Sequence, residues 1–187
     1  MSGAAGAVGQ AAVQLAKSFG ASVIGLVRNA DELEVAKPTN LNAIARSDKG
    51  DLANVVLEST NGKGGDLALN GVGASIMASL FEALGERGRQ VVYSSAGGRE
   101  FSLDIASFYQ KQHTLLGLTT QSLGAVDCAA ILNQIGPLFE SGALKPSGIA
   151  ERFSLDDARA AYLRVGSGRA GKVVLDMPEV KTWVGPR

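Results

Sequence analysis

Residues 1–10 read MSGAAGAVGQ, with Gly3, Gly6 and Gly9 spaced three apart and an apolar-periodic run directly behind them. Glycines at such spacing let backbone approach a phosphate closely, and a helix N-terminus then receives the negative charge. A β-strand normally delivers the chain to such a loop, yet only Met1 and Ser2 precede this one. The strict G-x-G-x-x-G pattern is also unmet, because Ala4 stands where its first glycine belongs. The motif alone leaves two readings: a nucleotide loop without its strand, or a small-residue N-terminus feeding a helix. The chain downstream decides between them.

Ala12, Leu15, Ala16 and Phe19 recur at i, i+3, i+4, i+7, which predicts a helix with those residues on its buried face, ending near Gly20. Residues 22–27, SVIGLV, read as a buried strand. Asn29, three residues before Glu32, starts a helix that Pro38 stops. A strand at 41–45, a helix at 51–59 with Leu52, Val55 and Val56 on one face, and a strand at 66–70 come next. The alternation continues with a helix at 74–84, a strand at 90–95, a helix or loop at 103–110 and a strand at 113–119. A long helix at 125–141 is weakened near Gly136-Pro137. Ser154 and Asp157 cap a further helix carrying Ala158, Ala161, Tyr162 and Val165, before a last strand at 172–176. Strands alternating with helices predict an α/β fold, a doubly wound parallel sheet, lacking the first strand that should precede the glycines. Residues 1–177 form one domain on this reading, and 178–187 a tail in which Trp183 is either disordered or a small packing anchor.

With 45% hydrophobic residues in 187, the chain can bury a proper core. Eighteen basic residues balance eighteen acidic ones, so no global field favours nucleic acid or an anionic membrane. The single cysteine, Cys128, and single histidine, His113, exclude a disulfide framework and a His/Cys metal cluster. The chain has neither an apolar run of membrane-spanning length nor a signal-peptide pattern, which makes the cytoplasm the default compartment. Cys128, among Ala129, Ala130 and Ile131, reads as a small buried side chain, His113 as structural or surface, and Asp156-Asp157 as a helix start.

Nineteen positions after Gly9, where a ribose-reading carboxylate is expected, the chain has Arg28. A guanidinium offers donors that match a 2′-phosphate, so the position reads as NADP rather than NAD, against the alternative of a solvated strand-end charge. Asp31 and Glu32 fit as acids in the first turn of the following helix. A doubly wound methyltransferase would instead favour an acidic residue where Arg28-Asn29 stands.

The glycine loop, Val27-Arg28-Asn29, the segment Leu69-Asn70-Gly71-Val72-Gly73 and the terminal Gly171-Lys172-Val173-Val174-Leu175 occur in that order. Together they resemble the cofactor domain of the medium-chain dehydrogenase/reductase superfamily, especially its zinc-free quinone oxidoreductases and trans-2-enoyl-CoA reductases. The resemblance implies that NADPH lies on the backbone of Gly3, Ala5, Gly6, Ala7, Val8 and Gly9, with Arg28 and Asn29 at its 2′-phosphate. It implies an adenosine contact at Arg46, a backbone turn beside the cofactor at Asn70, Gly71 and Val72, and a cofactor-contacting base at Lys172. Tyr93, Ser94, Leu118, Thr119 and Thr120 would border the nicotinamide.

The departures are as informative. Nothing in this sequence corresponds to the substrate-binding catalytic domain of the family, so Tyr93, Tyr109 and Tyr162 inherit no catalytic role and the catalytic residues are unassigned. Without the first strand, residues 22–27 and 66–70 would present facing open edges. The resemblance thus implies the NADPH-binding portion of a reductase acting on a quinone or an enoyl thioester, with a catalytic domain on another chain, and a homodimer joined at the apolar strand Leu115-Leu116-Gly117-Leu118. The competing readings are a non-catalytic NADPH-binding module and an inactive truncated fragment.

Overall fold

The computed structural model describes residues 1–168 and 171–178; Trp183 lies outside the described residues. Helix α1 (Ala7–Ser18) starts at the glycine loop and is followed by β1 (Ile24–Val27), α2 (Ala30–Ala36) and β2 (Ala43–Arg46). Next come α3 (Leu52–Ser59), β3 (Gly65–Asn70), α4 (Met77–Ala83), β4 (Leu84–Val92), α5 (Ile105–Gln110) and β5 (Thr114–Gly117). The chain continues through α6 (Ala125–Glu140), β6 (Ile149–Ser154), α7 (Ala158–Gly166) and β7 (Lys172–Asp176).

Among the described residues all the strand pairs are parallel: β1 with β2, β3 with β4, β4 with β5 and β6 with β7. Parallel strands need their side chains buried on both faces, and β1 does this by alternation. Leu26 and Ala45 enter one core with Leu52 and Val56 of α3 and Leu80 and Phe81 of α4. Val27 turns to the other face and packs with Ala4, Ala5 and Ala36. Helices therefore cover both sides of the sheet, as the sequence led us to expect.

Among the described residues, no full strand lies between β1 and β3. Ser2 alone bridges the two halves: it pairs with Leu26 in parallel, and its N–H donates to the Leu69 carbonyl at 3.0 Å. The sequence-based reading of two facing edges is borne out, with residues 1–2 as a stub between them.

Several expectations need correction. Phe19 does not join the buried face of α1 but is 78% exposed, because the helix ends at Ser18 and Val13 and Gly9 are its buried residues. Strand β4 begins at Leu84 rather than Gln90, since α4 stops directly at the strand. Strand β6 was not expected; β7 pairs with it in a separate two-stranded sheet instead of closing the main one. Helix α7 buries only Ala161, leaving Tyr162 77% exposed. Cys128 is exposed, because α6 buries none of its residues. That helix runs through Gly136-Pro137 without ending there. His113 is structural: it is buried, stacks on Phe81 with ring centres 5.5 Å apart, and its Nε2 lies 3.1 Å from the Gly85 carbonyl.

Candidate cofactor-binding site

The pairing register aligns the carboxyl ends of the main strands. Val27 stands beside Arg46, Asn70 beside Val92, and Val92 beside Gly117. Loops leaving these ends form one rim, where open α/β sheets bind ligands.

The glycine loop occupies the middle of that rim. Gly3 has φ +63°, a conformation that costs other residues, and its carbonyl accepts the Gly6 N–H at 2.9 Å. A Cβ on Gly9 would lie 2.1 Å from the Gly3 oxygen, so only glycine lets α1 start this close to the loop. Gly6 caps α1 with no side-chain hydrogen bond, and the first turn carries no acidic residue. Its N–H groups are therefore left to an external anion, with the positive end of the helix dipole behind them. The Gln10 amide donates to the Ala5 carbonyl at 2.9 Å, tying loop to helix, while Gly6, Ala7 and Val8 face solvent. These features fit a pyrophosphate: exposed amides, close backbone approach and no competing carboxylate.

Arg28 follows β1 directly. Its Nε donates to Glu32 Oε1 at 2.5 Å, its own N–H to Glu32 Oε2 at 2.7 Å, and Nη2 to the Gly168 carbonyl at 3.2 Å. Glu32 is buried, whereas the Arg28 side chain is 63% exposed. Asn29 caps α2, its Oδ1 accepting the Glu32 N–H at 3.1 Å. Glu32 thus does more than begin a helix: it holds the inner side of the guanidinium and aims the rest outward. Ser47 joins this corner, its hydroxyl 3.4 Å from the Arg28 carbonyl, and the Asp48 N–H donates to the same oxygen at 3.2 Å. Arg46 is differently engaged, its Nε and Nη2 donating to Asp48 at 3.0 and 2.6 Å. The hydrogen bond to Asp48 raises the Arg46 pKa and lowers that of Asp48.

Asn70 is fully buried and acts on the turn rather than presenting itself to a ligand. Its Oδ1 accepts the N–H groups of Val72 and Gly73 at 3.0 and 2.9 Å, and its Nδ2 donates to the Gly73 carbonyl at 3.1 Å. Gly71 lies against Tyr93, where a Cβ would meet the phenol oxygen at 2.4 Å. Burial raises the Tyr93 pKa. The turn is locked to the following loop by Gly97 N–H to Val72 carbonyl at 2.6 Å. Sequence reasoning missed Ser2, whose hydroxyl accepts the Gly71 N–H at 2.7 Å and donates to the Leu69 carbonyl at 3.0 Å. This one buried hydroxyl fastens the glycine loop to the Asn70 turn, and a serine in a small-residue run gives no sequence signal of it.

Ser94 and Thr119 accept local N–H groups, from Ala96 at 3.3 Å and Gln121 at 3.2 Å. Leu118 extends the β5 ladder to the Val92 carbonyl at 2.9 Å and is exposed, as is Thr120. These residues share the rim with the glycine loop. Lys172 does not: it begins β7 in the separate sheet, opposite Ile149, and is exposed. Among the described residues, no group of three or more His, Cys, Asp or Glu could hold a metal ion.

Residues 7–134 match the family described as zinc-binding dehydrogenase. The chain belongs to that family, within the medium-chain dehydrogenase/reductase superfamily. Highly-reducing polyketide synthase 1 of Aureobasidium melanogenum is 28% identical over 179 residues, covering 92% of this chain and 8% of the synthase. A quinone oxidoreductase from Pseudomonas syringae pv. Tomato DC3000 is 29% identical with TM-score 0.80, over 93% of this chain and 55% of that one. The Escherichia coli quinone oxidoreductase solved with NADPH is 26% identical with TM-score 0.79, again over 93% and 55%. The chain therefore spans about half the length of these solved relatives and a small part of the synthase. No helix among the described residues is long and apolar enough to cross a membrane.

Proposed function

We propose that this chain is the NADPH-binding portion of an oxidoreductase that reduces a quinone or the activated carbon–carbon double bond of an enoyl thioester. The observation that carries the reading is the Gly3–Gly9 cradle, where a Cβ at Gly9 would strike the Gly3 carbonyl at 2.1 Å while α1 begins without a side-chain cap. The amides of Ala7, Val8 and Gly9 would hold the pyrophosphate, with Gly6, whose own N–H is donated to the Gly3 carbonyl, giving the phosphate close backbone approach, and Arg28, steadied by Glu32, would meet the 2′-phosphate. Asn29 acts by capping α2, and Arg46 would contact adenosine only beyond its pairing with Asp48. When bound, the nicotinamide supplies hydride. The chain's part is to fix the cofactor's position: the Asn70 turn, Tyr93 and residues 118–120 border the rim where the nicotinamide end would lie, and Tyr93, its pKa raised by burial, stays a neutral phenol there.

The dinucleotide-binding domain is taken as residues 1–177 with the tail 178–187 behind it, and Lys172 as a contact reached from the β6–β7 sheet. A catalytic domain outside residues 1–187 would complete the substrate side. A homodimer through β5 also belongs to the proposal: all four β5 residues are exposed and its outer edge is unpaired among the described residues. The deciding experiment is calorimetric titration of the purified chain with NADPH and NADH, beside Arg28→Ala. NADPH-selective binding lost in the variant is expected; folded protein that binds neither would refute the reading.

A further inference from the structure

The Arg28 guanidinium stands where β1, α2 and α7 meet. Arg28 directly follows β1, Glu32 of α2 accepts its Nε at 2.5 Å, and its Nη2 donates to the Gly168 carbonyl, just past the end of α7, at 3.2 Å. Gly168 has φ +71°, and its N–H donates to the Val165 carbonyl at 3.1 Å, while the Ser167 N–H donates to that of Leu163 at 3.0 Å. These bonds close the last turn of α7 and leave the negative end of its dipole beside Arg28. The C-terminal unit is otherwise braced within itself. Strands β6 and β7 pair in their own sheet, Arg164 of α7 pairs with Glu151 of β6, and Arg152 with Asp176 at 2.5 Å. The bond from Arg28 to Gly168 ties this unit to the corner of the main sheet through a neutral acceptor.

Glu32 is buried and accepts the Arg28 N–H at 2.7 Å as well as Nε, so the inner edge of the guanidinium is fixed. A phosphate can reach only the outer edge, Nη1 and Nη2, and the Gly168 carbonyl already takes part of that edge. The phosphate is the stronger ligand, because it adds ionic attraction and a bidentate fork to what a neutral carbonyl offers singly. It also brings negative charge to the negative end of α7, where an anion is repelled. The two groups therefore compete for one cation.

We propose that Arg28 is a latch between the 2′-phosphate site and α7. A coenzyme that carries a 2′-phosphate draws the guanidinium off Gly168 and frees the last turn of α7, whereas a coenzyme without one leaves the latch closed. The end of α7 is thus a built-in competitor that lowers the affinity for NADPH and not that for NADH. Coenzyme choice is thereby communicated to the β6–α7–β7 unit. The coupling is reciprocal, so a change that loosens the end of α7 tightens NADPH by the same factor as NADPH loosens the helix end.

The latch rests on Arg28 being the 2′-phosphate contact, so binding and helix opening are measured separately. The whole chain is titrated calorimetrically with NADPH, NADH and adenosine 2′,5′-bisphosphate, the half of NADPH that carries the 2′-phosphate, and amide exchange across residues 158–168 is followed with each. NADPH and the bisphosphate are expected to speed exchange at Ser167 and Gly168 by roughly threefold or more, and NADH to leave it unchanged. Arg28→Ala should show the fast exchange with no nucleotide present. Val165→Gly, at a 58% exposed position in the last turn of α7, weakens the helix end without touching the coenzyme site. It should tighten NADPH by about twofold to fivefold and leave NADH as in wild type. Binding of NADPH with exchange at Ser167 and Gly168 unchanged or slowed would overturn the latch and spare the coenzyme reading, as would wild-type exchange in Arg28→Ala or unaltered NADPH affinity in Val165→Gly. A folded chain that binds neither NADPH nor the bisphosphate would overturn both.

Discussion

Replacing Gly9 by alanine tests the cradle most directly. The added methyl would lie 2.1 Å from the Gly3 oxygen, 2.8 Å from the Gly3 carbonyl carbon and 2.9 Å from the Ala4 Cα. All three are backbone atoms, so no side chain can rotate aside. Restoring contacts to van der Waals separation requires the start of α1 and the loop to part by roughly 1 Å. Overpacking of this kind costs about 1–3 kcal/mol, which for a chain of this size lowers Tm by about 2–4 °C per kcal/mol. The same displacement would pull loop amides off the pyrophosphate, and loss of one charge-assisted bond, about 1.5–3 kcal/mol, weakens NADPH roughly tenfold to a hundredfold. Gly6→Ala is the control. Its Cβ would stand 3.3 Å from the Gly3 oxygen and its φ is −80°, so only about 0.5–1 kcal/mol of capping should be lost. Urea unfolding on both variants and calorimetric NADPH titration of Gly9→Ala give the answer. A Gly9→Ala chain that matched wild type in both would refute the packing argument.

Arg28→Ala should weaken NADPH by about tenfold to a hundredfold and leave NADH within about twofold, because the lost bonds are those to the 2′-phosphate; parallel titrations decide it. Asn70→Ala leaves the Val72 and Gly73 N–H groups without their acceptor and should cost about 1–3 kcal/mol in urea unfolding. The Met1 amine has its folded pKa lowered to about 6 from 8.0. The unfolded chain therefore binds more protons between those values, so stability should rise from pH 6 to pH 8, by at most about 2 kcal/mol, and the slope should vanish when the amine is acetylated. Leu116→Lys places a charge on the exposed β5 strand and should shift the sedimentation mass from dimer to monomer; a wild-type mass that stays monomeric at every concentration would sink the dimer proposal.

The sequence alone determined the order of elements through β5, the parallel pairing and the glycine loop. Those features rest on local rules: apolar periodicity, the Asn29 cap, and glycines where backbone approaches closely. The two open edges among the described residues were legible as well, because residues 1–2 are too few to form a strand between residues 22–27 and 66–70. Tertiary structure alone decided what no local rule encodes. Glu32 steadies Arg28, Asp48 engages Arg46, and Asn70 works on its own turn because strand register carries each beside its partner. Ser2 joins two loops that are 69 residues apart in sequence. The same register puts β7 against β6 rather than in the main sheet and leaves α6, apolar as it reads, with no buried residue. Periodicity tells which side of a helix is apolar, but burial needs a neighbour to cover it, and only the packed chain says where that neighbour is.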